Sequence, residues 1–466
     1  MRIGALLAVS FVLAVMLPGT AGGQAPQAGD PSAEPSAVPS HDWREAGFVA
    51  VVDGQLFDPD CWPLASVGSN VPNLMFRGGL AENLEWMRRH GMRWFRVIVT
   101  GHARTPPYAD AVVGRVEGRL TRLLREVEAF NAAHDPRESI YVLASLTDYY
   151  EPGLTGDRHG YDKPDWCLAR VLNAPWFRRG VRSYDFRQEC GGEPLAGAPN
   201  YEVNYKPWVQ RVVTAGADSP ALLGWQLGNE MKARNSASNA IAEAYDWYLD
   251  WTIDMVETIR AIDRAHLIFA GGQHMAELID WHYRADGPDI RPDLRPHWQE
   301  HWDRMLRACG EHCWNVWSLS YYDFQLYPVD DAMLLQRSGV ATMVVEHGLS
   351  LGPREDELRN FGGSRPLAVR EGLDRPWQDL TGTWQPRLWG VAELAERTGL
   401  QGVAPWSSPA PGPGADPLPD ADTQRGITNV PDETEMWQAW SEVTAQLEAS
   451  NRRAGPSAAC ESHRSS

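Results

Sequence analysis

Two glutamates close short apolar runs in this chain: Glu230 ends "LLGWQLGNE", and Glu346 follows "ATMVV". An unpaired acid is costly to bury, so a carboxyl at the end of such a run invites a chemical use. If the two carboxyls face one another over a cleft, one can protonate a departing oxygen while the other attacks the adjoining carbon. That is what cleavage of a glycosidic bond requires, and a gap of about 5–5.5 Å would make the reaction retaining. Taken alone, Glu230 reads equally well as an acid near the start of a helix running from Ser236, where the helix dipole favours negative charge.

The elements around the two acids decide whether they meet. A first pattern, "GFVAVVDGQLF", gives two short runs about an Asp-Gly turn and predicts a hairpin. Eight β-rich apolar runs follow: Val67 to Asn70, "RWFRVIVT", "IYVLASLTD", "LLGWQLGNE", "HLIFAGGQH", "WNVWSLSYYD", "ATMVVEHG" and "QGVAPW". They alternate with amphipathic stretches such as "LAENLEWMRRHG", "VEGRLTRLLREVEAFNAAH" and "AIAEAYDWYLDWTIDMVETIRAID", with "DETEMWQAWSEVTAQLEASN" last. Such alternation implies parallel strands with helical crossovers, and eight repeats close most naturally into a (β/α)₈ barrel. An open doubly wound sheet is the alternative, but no glycine-rich phosphate loop follows any strand.

In a barrel the residues ending the strands face the cleft. Arg96, Asp148, Asn229, Glu230, His274, Tyr322, Glu346 and Trp406 hold such positions. Glu230 and Glu346 fall on the fourth and seventh strands, across the mouth from each other. Two irregular insertions, Tyr149 to Asn200 and Ser407 to Pro431, are expected at the same face, where barrel loops build sites.

On these residues the chain resembles glycoside hydrolase family 5, a retaining (β/α)₈ family, over Gly47 to Asn451. "GWQLGNE" and "VVEHG" are similar to its fourth- and seventh-strand motifs. The resemblance implies Glu230 as acid/base and Glu346 as nucleophile. It implies Arg96, in "FRVIV", as a partner that keeps the nucleophile ionised, and Asn229 as the holder of the sugar 2-hydroxyl. Tyr322 and Trp406 match substrate-site residues, Trp406 as the floor of the cleaved subsite; His274 is a further candidate contact. Two positions depart from the pattern: Met231 stands where the family has Pro, and Ser320 where the sixth strand has His.

"LASLTDYY" together with "GWQLGNE" is closer to the endo-β-1,4-mannanase branch than to the cellulase branch. The expected substrate is therefore mannan or glucomannan, with an endo-β-1,4-glucanase or a non-hydrolytic carbohydrate-binding barrel as alternatives. Aromatic residues in the expected upper loops, Tyr149, Tyr150, Trp166, Trp176, Trp377 and Trp384, could stack on sugar rings.

Composition bounds the rest. A formal net charge of -18 argues against a nucleic-acid surface. Arg2 followed by the apolar run from Ala5 to Leu17 and small residues reads as a secretory signal over residues 1–24. A Pro/Ala/Ser-rich linker over 25–42 comes next, then the barrel over 43–451 and a tail over 452–466. Six cysteines in an exported chain suggest disulfides, with Cys167 and Cys190 in one region, Cys309 and Cys313 in another, and Cys61 and Cys460 remaining. "CGEHC" could instead hold a metal with His312, though no second ligand cluster accompanies it. The expectation is an exported, monomeric hydrolase of polysaccharide or oligosaccharide, with no cofactor and no membrane or nucleic-acid partner.

Overall fold

A computed structural model of the chain describes residues 47–71, 74–77, 79–99, 116–147, 174–186, 195–203, 205–229, 231, 242–271, 316–321, 341–347, 401–405 and 433–465. Strands β1 (Ala50–Val52) and β2 (Gln55–Phe57) form the expected antiparallel hairpin. Its turn, Asp53-Gly54, has both residues at positive φ, 50° and 74°. That is the geometry in which a two-residue turn matches the natural strand twist, and Asp-Gly accepts it.

Next come β3 (Ser66–Asn70), α1 (Leu74–Arg77), α2 (Leu80–Arg89), β4 (Trp94–Ile98), α3 (Val116–Ala132) and β5 (Tyr141–Ser145). The insertion carries β6 (Ser183–Phe186) and β7 (Leu195–Pro199), and α4 (Tyr205–Gly216), β8 (Leu222–Gln226), α5 (Ala242–Arg260) and β9 (Leu267–Phe269) follow. The last described elements are β10 (Val316–Tyr321), β11 (Ala341–His347), β12 (Gly402–Pro405), α6 (Glu433–Ala454) and α7 (Ala458–Ser465).

Strands β3, β4, β5, β8, β9, β10, β11 and β12 close into a parallel barrel in that order, each on an expected apolar run. The interior is filled by pairing large residues with small ones. Trp94 of β4 occupies the space a side chain at Gly68 would need, since a Cβ there would lie 2.2 Å from its ring, and Met343 of β11 does the same at Gly402, at 2.4 Å. Gly224 of β8 yields in the same way to Phe269. Large and small residues alternating around a barrel interior give a packed core rather than a pore.

The hairpin plugs the N-terminal mouth. Val49, Leu56 and Leu64 join Trp94, Tyr141, Leu267 and Ala341 in one apolar core. The Leu56 N–H donates to Oε1 of Gln401, the residue before β12, at 2.9 Å. On the same side Cys61 is disulfide-bonded to Cys460 of α7, tying the hairpin to the C-terminal helix. The stretch expected as a tail from residue 452 is thus the end of α6 and then α7, whose buried Cys460 packs with Val52 and Phe57. Cys167, Cys190, Cys309 and Cys313 lie outside the described residues.

The first insertion is more ordered than its irregular sequence suggests. Besides the β6–β7 hairpin it holds a 3-10 turn, Ala174–Phe177, in which Trp176 and Phe177 are buried against α4 and α5. Ring centroids lie 5.5 Å from Trp176 to Tyr205 and 5.1 Å from Phe177 to Trp251. Asp254 of α5 completes the joint, accepting from the Tyr201 hydroxyl at 3.0 Å and from Lys206 Nζ at 2.8 Å.

Candidate active site

At the C-terminal end of the barrel, Arg96 of β4 is the centre of a buried polar layer. Only 1% of its surface is exposed. Its Nε donates to Oε1 of Gln226 at 2.8 Å, its Nη1 to Oδ1 of Asn70 at 3.3 Å, and its Nη2 to Oδ1 of Asn229. Asn70, Gln226 and Asn229 are all buried. The strands bring these groups together through their pleat. Asn70 and Arg96 are register partners on β3 and β4, and Gln226 is the inward-facing neighbour of the outward Trp225 on β8. A guanidinium held on all three nitrogens cannot swing, so its charge is fixed at the mouth.

Asn229 is fixed by the backbone as well. Beyond β8 the chain keeps bonding alternately to its two neighbours. Leu227 N–H donates to Phe269 O at 3.0 Å, Asn229 N–H to Thr147 O at 2.7 Å, and Met231 N–H to Gly271 O at 3.0 Å. Glu230 lies outside the described residues, between two anchored ones. The tight approach here requires glycine. Gly271 has φ +72°, and a Cβ on it would sit 2.2 Å from Gly228 O. The departure at Met231 also has a physical reason, because proline at that position could not donate to Gly271 O.

Glu346 lies in β11, where its Cα pairs with that of Ser320 on β10. The strand is irregular there. From Val344 to Glu346 it advances two residues while β10 advances one, and from Val344 to His347 three while β12 advances two. One extra residue is therefore accommodated at Val345, a bulge at the barrel rim of the kind that re-aims the residues beyond it. The Val345 carbonyl accepts from Nδ2 of Asn70, which reaches it at 2.5 Å from β3, two strands away.

Of the residues singled out in the sequence, Arg96 and Asn229 are thus in direct contact, and Glu346 is placed by its backbone on the seventh strand of the barrel. Glu230, Asp148, His274, Tyr322 and Trp406 lie outside the described residues, as do Tyr149, Tyr150, Trp166, Trp377 and Trp384. Trp176 is corrected: it packs in the aromatic joint between the insertion and α5 and presents no face to a sugar. The sequence reading missed Asn70 and Gln226. Asn70 ends the first strand as Arg96 and Asn229 follow the others, and the same strand-end criterion applied there would have found it. Among the described residues no three His, Cys, Asp or Glu side chains gather to hold a metal ion, and no helix is long and apolar enough to cross a membrane.

Comparison with known proteins follows the same lines. No family model matches the chain. It is 33% identical over 100 residues to the probable mannan endo-1,4-beta-mannosidase C of Aspergillus terreus, a match covering 20% of this chain and 25% of that protein. It is 32% identical over 69 residues to mannan endo-1,4-beta-mannosidase A of Podospora anserina, covering 15% of this chain and 17% of that one. The chain therefore spans a quarter or less of the length of these curated relatives. Among solved structures it is similar to an endo-beta-1,4-mannanase from Thermotoga petrophila, with a TM-score of 0.50 at 13% identity over 83% of this chain and 77% of that chain. The fold is the (β/α)₈ barrel, and the resemblance to the mannanase branch seen in the sequence recurs in the local matches.

Proposed function

We propose that the chain is an exported retaining glycoside hydrolase that cleaves β-1,4-linked mannan or glucomannan, with Glu230 as acid/base and Glu346 as nucleophile. The observation that carries the reading is the buried Arg96 layer. It grips Asn229, the residue before Glu230, and through Asn70 it reaches Val345, the residue before Glu346. A fixed cation at the mouth favours an ionised carboxylate near it, which is the state a nucleophile needs.

In the first step the Glu346 carboxylate attacks the anomeric carbon while Glu230 gives its proton to the glycosidic oxygen. The carbon–oxygen bond breaks and a glycosyl ester forms on Glu346. In the second step Glu230 takes a proton from water, the water oxygen attacks the same carbon, and Glu346 leaves as carboxylate. Asn229, its Oδ1 held by Arg96, would meet the sugar 2-hydroxyl through Nδ2, a contact that strengthens as the ring flattens. Tyr322, Trp406 and His274 would complete the subsite.

The test is reducing-sugar release from mannan, glucomannan and carboxymethylcellulose by the wild type beside Glu230→Ala and Glu346→Ala. Release from the mannans that both substitutions abolish is the expected result. Release from carboxymethylcellulose alone would move the substrate to glucan, and activity that survives in both variants would remove the two-glutamate mechanism.

A further inference from the structure

Asn70 stands at a junction that neither the motifs nor the proposed chemistry assigns. Its side chain uses both ends: Oδ1 accepts from Nη1 of Arg96, and Nδ2 donates to the carbonyl of Val345. Val345 is where β11 carries one residue more than either neighbouring strand. A bulge disrupts the ladder locally, and a side-chain donor to its buried carbonyl helps to hold the irregularity in place. Asn70 supplies a donor to that carbonyl from β3, two strands away with β12 between them. The extra residue also resets the in-and-out alternation of everything beyond it, and the next residue in the chain is Glu346.

The other half of the junction runs through Arg96. One guanidinium bonds directly to Asn229 on one side of the mouth and to Asn70 on the other. The residue preceding each of the two glutamates is thereby tied to one rigid cation. We infer that Asn70 is a positioning residue for Glu346: it holds the β11 bulge and fixes it to the Arg96 frame that also carries Asn229, so that the spacing of the two carboxyls is set by the barrel core rather than by loops. The inference rests on the glycosidase reading. It assigns to the first barrel strand a part in that reaction.

The experiment compares wild type with Asn70→Asp and Asn70→Ala. Asn70→Asp keeps the shape and an acceptor for Arg96 but has no N–H for Val345 O; Asn70→Ala removes both bonds. Steady-state kinetics are measured on a manno-oligosaccharide and on an aryl β-mannobioside with an activated phenol leaving group. Rates are expressed per active site, titrated with a slow fluorinated mannoside, so that a variant that merely folds less well shows fewer sites and an unchanged rate at each.

A misplaced nucleophile should lower kcat per site by about 10- to 100-fold with KM within about twofold, since small displacements of a reacting group cost rates of that order. The loss should persist on the activated substrate, whose phenol departs without help from Glu230. A loss that vanishes there would place the effect on the acid, and an unchanged kcat per site would leave Asn70 a purely structural residue; either overturns the inference while the glycosidase reading stands. A wild type inert on every mannoside and glucan would overturn both.

Discussion

Replacing Asp263 by Asn should destabilise the fold by an amount that depends on pH in a calculable way. Asp263 follows α5 and is buried on the outer side of β8 and β9. Its Oδ1 accepts from the N–H groups of Ala265 and His266, both at 3.0 Å. Its Oδ2 accepts from Trp225 Nε1 at 2.7 Å and from His266 Nδ1 at 2.8 Å. The other ring nitrogen of His266 faces the Ser219 carbonyl at 2.8 Å, an oxygen that only accepts. Both imidazole nitrogens therefore face oxygen acceptors, one of them the Asp263 carboxylate. Burial alone would push the Asp263 carboxyl up, but the hydrogen bond and charge of His266, with the Trp225 N–H, outweigh it and hold the group down at about 2.

An Asn side chain offers one oxygen to two pairs of donors, so its NH2 must face one of the pairs. Leaving buried donors unpaired in a broken ion pair costs about 3 kcal/mol or more. Part of that cost is linked to protons. A carboxyl lowered from 3.8 to about 2 contributes roughly 2 kcal/mol, fully present above its unfolded value and lost as pH falls from about 4 to about 2. The assay is urea unfolding followed by tryptophan fluorescence from pH 5 to pH 2 for wild type and Asp263→Asn. In that range a histidine in the unfolded chain already carries its proton and adds no slope. The stability gap should be largest at pH 5 and should shrink by roughly 2 kcal/mol on acidification. A gap that stays flat with pH, or that is under about 1 kcal/mol at pH 5, would refute the buried ion pair.

Two other outcomes follow from the same structure. Met231→Pro, which restores the residue common in the resembling family, removes the N–H that donates to Gly271 O; thermal unfolding should show a loss of about 1 kcal/mol, and an unchanged melting temperature would mean that this bond anchors nothing. Cutting the Cys61–Cys460 bridge, 399 positions apart, with Cys460→Ser should lower stability by up to about 6 kcal/mol on chain-entropy grounds. The proposed hydrolysis of mannan, assayed at room temperature, should stay within about twofold of wild type, because the bridge lies on the hairpin side of the barrel, away from Arg96; a proportionate loss of rate would contradict that separation.

The barrel was legible because its strands are buried on both faces and so appear as unbroken apolar runs; β4, β5 and β8 are buried at every residue. Arg96 and Asn229 were legible for the same reason, as polar residues inside or just beyond such runs. What stayed hidden depends on partners distant in sequence. Nothing near Asn70 indicates that it bonds a carbonyl 275 positions away, and "MVVE" gives no sign of a bulge, since the extra residue exists only relative to β10 and β12. Trp176 misled for a related reason. A tryptophan in an irregular stretch resembles a sugar platform until Tyr205 and Trp251, from helices later in the chain, are seen to cover it.

Strand β8 joins the two buried networks. Trp225 points outward and is held by Asp263, while the next residue, Gln226, points inward and holds Arg96. Consecutive residues on opposite faces of one strand thus tie the helical shell to the polar layer at the mouth, one and two positions before the anchored segment Leu227 to Met231 begins to bond both neighbours in turn. A strand fixed from both faces cannot roll, and rolling is the motion that would turn Asn229 away from Arg96. Loss of Asp263 should therefore be felt first as instability, and loss of Gln226 as a change in rate, although the two side chains leave the backbone one residue apart in their attachment to β8.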